Sequence, residues 1–97
     1  MGFTGPKSRI QLALLLMPVI FRHKGFRFFF YSNEGNPRER LHVHVRGQGG
    51  EAKFWVVPTI ALASSDGLDA RTLRELEQTV RDNVHLIQEA WNEHFST

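Results

Sequence analysis

A hairpin of alternating residues is the feature that most constrains how this chain can fold. Residues 41–46 (LHVHVR) and 51–56 (EAKFWV) alternate apolar and polar side chains around the turn sequence GQGG. Because strand side chains point to opposite faces with period two, one face of this hairpin is apolar and the other is polar. The apolar face comprises Leu41, Val43, Val45, Ala52, Phe54 and Val56, and the polar face comprises His42, His44, Arg46, Glu51, Lys53 and Trp55.

The same alternation predicts the register of the hairpin. A slip by one residue would turn either the histidines or Phe54 to the wrong face. We therefore expect pairs whose residue numbers sum to 97, which places His44 opposite Lys53 and His42 opposite Trp55.

An earlier segment predicts a first hairpin. Residues 19–23 and 26–32 are rich in β-forming residues, and Gly25 supplies the positive φ that the Lys24-Gly25 turn needs. Alternation assigns Val19, Phe21, Phe26, Phe28 and Phe30 to one face, and Ile20, Arg22, Arg27, Phe29 and Tyr31 to the other. The second set has two interpretations: a platform on which nucleic-acid bases stack, or a central strand with both faces partly covered, which we favour because aromatic clusters usually belong to cores.

The end of the chain predicts a long amphipathic helix. After Pro58, residues 59–63 form a short apolar stretch and residues 64–67 a loop, and Asp69 is a suitable N-cap. Apolar residues then recur at intervals of three and four, at Leu73, Leu76, Val80, Val84, Ile87, Trp91 and Phe95. A helix of roughly 25 residues would extend ~38 Å, longer than a short-stranded sheet, so we expect part of its stripe to be left for a second subunit or another protein.

These elements predict an α+β fold. Two consecutive antiparallel hairpins form one small sheet, and the long C-terminal helix packs on one sheet face. A chain of 97 residues buries one modest core, so we expect a single domain over residues 17–97. Residues 1–16 are expected to be a flexible tail or the product of an upstream start codon.

Composition narrows the location and the chemistry. The chain has no cysteine, which excludes disulfides and thiolate metal sites and fits a reducing cytoplasm. The apolar run before Pro18 is too short to span a membrane and lacks a cleavage site after it, so neither membrane insertion nor secretion is expected.

The net charge of +2 conceals a polarised distribution. Residues 17–57 carry seven Lys and Arg against three acids, whereas residues 66–97 carry three against seven. A basic sheet joined to an acidic helix is suited to holding a polyanion on one side and a protein on the other.

The polar residues of the sheet are the candidates for function. The predicted binding residues are Arg22, Arg27, Arg40, His42, His44, Arg46, Lys53 and Trp55. Two imidazoles could divide acid and base roles, so His42, His44 and Glu34 are the catalytic candidates. The two histidines are close enough to chelate a metal, but zinc requires three or four ligands, and we predict neither a metal nor a cofactor.

Residues along most of the chain resemble a known family. The segments 17–22 (MPVIFR), 26–35 (FRFFFYSNEG), 42–46 (HVHVR), 52–55 (AKFW) and 90–93 (AWNE) closely resemble a bacterial family catalogued as domain of unknown function 4160. The resemblance implies a small α+β domain, often encoded beside a protein of another uncharacterised family (2442) in an arrangement similar to toxin–antitoxin pairs. It maps recurrent polar positions to Asn33, Glu34, His42, His44 and Lys53, without a role for any of them.

Three functions remain open. We expect foremost a binding module for nucleic acid or for the protein of a neighbouring gene, within a toxin–antitoxin-like pair and with a homodimer through the C-terminal helix as a further expectation. The alternatives are a histidine-dependent hydrolase or ribonuclease-like toxin, and a purely structural subunit. An enzyme should place His42 and His44 in a concave pocket with a third polar group, whereas a binding module should place them on an open basic surface.

Overall fold

A computed structural model of the chain describes residues 19–31 and 39–95. Five strands form one antiparallel sheet in sequential order, and two helices follow them. The strands are β1 (Val19–His23), β2 (Phe26–Phe29), β3 (His42–Gly47), β4 (Gly50–Trp55) and β5 (Ala61–Asp66), and the helices are α1 (Ala70–Asp82) and α2 (Val84–Phe95). The α+β prediction is confirmed. The predicted tail, residues 1–16, lies outside the described residues.

Both hairpins close through tight turns of the same type. The two central residues have positive φ in each turn, Lys24 (48°) and Gly25 (83°) in one, and Gln48 (50°) and Gly49 (82°) in the other. Such turns match the right-handed twist of the flanking strands. The Gln48 side-chain amide donates to the carbonyl oxygen of Lys24 at 3.1 Å, which joins the two turns at one end of the sheet.

The register of the second hairpin is as predicted. His42 pairs with Trp55, His44 with Lys53 and Arg46 with Glu51. The buried residues Val43, Val45 and Phe54 occupy the opposite face, so burying the apolar set fixed the pairing.

One face assignment in the first hairpin is wrong. A bulge between Val19 and Phe21 pairs Val19 with Phe29, and Val19 is 43% exposed beside Ile20 and the α2 residue Ala90. Ile20 packs instead against the core. The extra residue of a bulge reverses the alternation beyond it, and no turn residue announces it in the sequence.

The segment predicted as an apolar stretch followed by a loop forms the fifth strand. Ser64 pairs with Lys53 and Asp66 with Glu51, and a bulge interrupts the pairing between Lys53 and Phe54. All six residues of β5 are exposed. Because β5 lies at the sheet edge and buries little, it lacks the alternating apolar pattern by which strands are recognised.

The predicted single helix is two helices. α1 ends at Asn83, whose backbone amide donates to the Val80 carbonyl oxygen (3.1 Å) and whose side-chain amide donates to the Thr79 carbonyl oxygen (2.8 Å). These bonds satisfy the last carbonyl groups of α1, after which α2 starts. The apolar spacing continues across Asn83, so periodicity alone did not show the break. Asp69 caps α1 as predicted, accepting from the Thr72 amide at 2.8 Å.

The two helices cover one face of the sheet and complete the core. α1 contacts β4 and α2 contacts β1. The helices contribute Leu76, Val80, Ile87, Trp91 and Phe95 to the buried cluster. Trp91 and Phe95 lie against Phe30, with ring centroids 5.1 and 6.0 Å away. The expectation that part of the stripe stays uncovered is therefore wrong, because the break at Asn83 replaces one long helix by two short ones. A homodimer through the helix loses the exposed surface from which it was inferred.

Candidate ligand-binding face

The sheet face opposite the helices carries most of the predicted site. We call it the outward face. Its side chains form rows across the strands, because residues that are directly paired point the same way. One row, the charged row, runs from β1 to β5 through Arg22, Arg27, Arg46, Glu51 and Asp66. A second row runs through Phe29, His44, Lys53 and Ser64.

The charged row places three arginines side by side. Like charges directly opposite each other on neighbouring strands destabilise a sheet. Neither Arg22 nor Arg27 has an ion pair with a described residue, whereas Arg46 donates to a Glu51 carboxylate oxygen at 3.0 Å. Among the described residues the row is therefore basic over β1 and β2 and becomes acidic towards β5.

Arg46 is held by two partners. It donates to Glu51 and to the Tyr31 hydroxyl, the latter at 3.1 Å. The hydrogen bond to Glu51, followed by the field of Tyr31, raises the pKa of the Arg46 guanidinium above its ordinary value. Arg46 is thus a fixed cation whose fork is oriented across β2 to β4.

A shallow depression lies at the centre of the outward face. Its volume is about 390 Å³. Tyr31, His44, Arg46, Glu51, Lys53, Ser64 and Asp66 are among the residues that line it. The depression joins cations, hydroxyl groups and aromatic rings in one concavity, which is the mixture that polar ligands require.

His44 stands in the wall of this depression and is half-buried. Its ring lies parallel to Phe29 (centroids 5.6 Å apart, 26° between planes) and edge-on to Tyr31 (4.7 Å). Beside it, Lys53 forms an ion pair with Glu39 at 3.3 Å. His44 and Lys53 are therefore placed where the sequence predicted them, on an accessible polar face.

His42 is not. Its side chain is fully buried, although it points to the outward face. Nδ1 lies 2.7 Å from the Arg40 carbonyl oxygen, and the ring contacts Trp55 (5.5 Å) and Trp91 of α2 (5.3 Å). The binding or catalytic role of His42 stays a prediction, and the buried side chain gives it no solvent access in this structure. Alternation predicts the side on which a residue lies, but not what covers it.

Trp55 and Arg40 form a stacked pair at the end of the outward face that lies away from the charged row. The Arg40 guanidinium lies 3.9 Å from the ring centroid of Trp55, and Lys53 Nζ lies 4.4 Å from it. Such cation–π contacts hold a positive group against an aromatic ring. Both residues were predicted as binding residues, and the structure brings them together.

The structure describes two of the three catalytic candidates, His42 and His44. Only His44 of the two histidines lines the depression, and Glu34 lies outside the described residues, as does Asn33. Within residues 19–31 and 39–95, no group of three His, Cys, Asp or Glu side chains is arranged to hold a metal ion.

Sequence reasoning missed the β5 wall of the depression. Ser64, Ser65 and Asp66 line it, yet the serine-rich composition of this segment is typical of a loop. The apolar residues 60–63 after Pro58 were the available signal for a strand.

Comparison with known proteins assigns the chain to a family. Residues 25–92 match the family described as "Domain of unknown function (DUF4160)". No curated protein and no solved structure matches the chain. Among the described residues, no helix is long and apolar enough to cross a membrane.

Proposed function

The chain belongs to the DUF4160 family, whose name carries no activity, and we propose that it is a binding module that holds single-stranded nucleic acid on its outward face. The observation that carries this proposal is the run of three arginines in register, Arg22, Arg27 and Arg46, beside a polar and aromatic depression.

The arginines supply the contacts to the backbone. Adjacent strands are about 4.8 Å apart, so three paired arginines span about 10 Å. The spacing of successive phosphates in a single strand is of the same order as the spacing between neighbouring arginines. Guanidinium groups bind phosphates with two parallel hydrogen bonds. The destabilisation from three adjacent like charges is offset when phosphates neutralise them.

The aromatic residues supply the contacts to bases. Tyr31, His44 and Trp55 are half-buried, so each combines a packed position with partial exposure to solvent. Stacking on aromatic side chains is worth ~1 to 3 kcal/mol per base and does not require a particular sequence. Unpaired bases suit such a face, because they can be splayed out and stacked on its aromatic side chains.

The other functions have less support. A His42–His44 acid/base pair needs both imidazoles at the substrate, and His42 is buried. The pairing with a neighbouring-gene protein in a toxin–antitoxin-like module, and a cytoplasmic location, stay predictions, as does the single domain over residues 17–97. If the protein is a purely structural subunit, the charged row binds no ligand. A binding titration tests this directly.

The test is a binding titration with labelled oligonucleotides. Fluorescence anisotropy at low salt should show binding of single-stranded RNA or DNA and weaker binding of duplexes of the same sequence. Arg27→Ala should weaken binding, whereas Arg71→Ala, which removes an exposed arginine from α1, should leave it unchanged. Equal effects of the two substitutions, or no binding by the unaltered chain, would show that the outward face is not a nucleic-acid site.

The same samples test the enzymatic alternative. If the labelled RNA is cleaved, and cleavage depends on His44 with a bell-shaped pH profile, the protein is a nuclease rather than a binding module.

A further inference from the structure

We propose that two copies of this chain associate through their β5 edges, pairing antiparallel so that the two five-stranded sheets become one continuous sheet. This proposal does not depend on the nucleic-acid function. It concerns a sheet edge that the candidate site uses only in part, and it names a second copy of the chain as the partner.

Among the residues that the structure describes, no strand pairs with the outer edge of β5. All six of its residues are exposed, and Leu62 is 41% exposed on the helix side, paired with the buried Phe54. Exposed edges are normally protected by lysines, prolines, bulges or a covering element. β5 has a bulge and a terminal Asp66, but neither lysine nor proline, and its other residues are small or apolar.

The charges at the two ends of β5 select a second copy as the occupant. At one end, Asp66 pairs with Glu51, and at the other Ala61 pairs with Trp55, on which Arg40 is stacked. Antiparallel self-pairing centred on the strand brings the carboxylates of each copy towards the Arg40 guanidinium of the other. Two strand spacings, about 10 Å, separate these groups, which is within one Debye length at 0.1 M salt. Asp66 of one copy and Arg40 of the other thus attract each other in this arrangement.

The symmetry of this pairing places equivalent faces of the two sheets on the same side. A two-fold axis perpendicular to the sheet keeps the helices of both copies on one side and the two outward faces on the other. Leu62 of each copy then lies on the helix side, opposite Ser65 of the other copy.

The first test compares two exposed leucines. Sedimentation velocity on the full chain, over a range of concentrations, should show a reversible monomer–dimer equilibrium. Leu62→Lys should weaken the dimer by about tenfold or more, because it places a lysine on the paired edge. Leu86→Lys is the matched control, since Leu86 is 44% exposed on α2, and it should leave the dimer unchanged. A chain that is monomeric throughout, or equal effects of the two substitutions, overturns the proposal.

The second test is a charge exchange that only the antiparallel arrangement rescues. Asp66→Lys and Arg40→Glu should each weaken dimerisation, because each places like charges together across the two-fold axis. The double variant should restore it. Circular dichroism melting confirms that each variant is folded, and failure of the double variant to recover while folded contradicts this geometry.

Cross-linking supplies a readout that does not depend on affinity. The chain has no cysteine, so a single introduced one reports only its own position. Under mild oxidation, Ala63→Cys or Ser64→Cys, near the middle of β5, should give disulfide-linked dimers, and Leu86→Cys should not. Cross-linking that is equally efficient at Leu86→Cys, or absent from β5, counts against the proposal. An extended peptide from another protein at this edge would instead leave the purified chain monomeric.

Discussion

His42 and His44 show how differently two residues of one strand face can be used. They are two positions apart on β3 and their rings lie 5.1 Å from each other. His42 is enclosed by Trp55 and Trp91, which connects the outward face to α2, whereas His44 lines the depression. One imidazole therefore supports the structure and the other is accessible to a ligand.

This difference predicts opposite effects of the same substitution. His42→Ala should lower the free energy of unfolding by about 1–3 kcal/mol, because it removes a buried ring and its hydrogen bond to the Arg40 carbonyl group. His44→Ala should change stability little but weaken oligonucleotide binding. Urea unfolding and anisotropy titrations measure the two effects, and a stability loss as large for His44→Ala would contradict the assignment.

Asp69 predicts a pH effect at the start of α1. The hydrogen bond from the Thr72 backbone amide lowers the pKa of its carboxyl group below the ordinary 3.8. A group whose pKa is lower in the folded state stabilises the fold above its unfolded pKa, and this stabilisation is lost as the pH falls through the folded value. Asp69→Asn keeps the cap without the titration, so its melting temperature should depend less on pH below about 4 than that of the unaltered chain. Parallel pH curves would contradict this reasoning.

At the scale of elements, the two helices depend on the same sheet through different residues. Leu76 of α1 and Ile87 of α2 are both buried in the core, at 1% and 0% exposure. Asn83 ends the first helix and allows the second to follow β1 rather than continue past the sheet. Helix length was limited by the sheet that the helices cover.

Truncation of these residues should show that both helices stabilise one cooperative unit. Leu76→Ala and Ile87→Ala should each cost about 2–5 kcal/mol, because each leaves a cavity in a packed core. Leu86→Ala, on the exposed side of α2, should cost much less. Chemical denaturation followed by circular dichroism and by tryptophan fluorescence should give coincident transitions for each variant. A separate early transition on Ile87→Ala would show instead that α2 unfolds independently.

At the scale of the whole molecule, charge is divided between the layers. The sheet carries the excess of arginine and the helices the excess of acid, which directs a polyanion to the outward face. Within that face the charge is also divided along the charged row, which is basic at Arg22 on β1 and acidic at Asp66 on β5.

This distribution predicts the salt dependence of binding. Three arginine–phosphate contacts on a single strand should give a slope of about −2 in a plot of log affinity against log salt concentration, at ~0.7 per contact. Arg27→Ala should make the slope shallower by about 0.7. Trp55→Ala should weaken binding with little change in slope, because stacking releases no counterions. Titrations from low to moderate salt distinguish the two, and an unchanged slope for Arg27→Ala would remove Arg27 from the interface.

The sequence by itself determined the second hairpin, its register and its core face, because the period-two pattern of residues 41–56 is satisfied by one pairing only. It also determined the cap at Asp69 and the apolar faces of both helices, since these follow from local chemistry. Tertiary structure decided the bulge at Val19, the strand status of residues 61–66 and the burial of His42. Each of these three features depends on which strand or helix packs against the residue. Those elements lie far away in the chain, so a local sequence pattern does not reveal them.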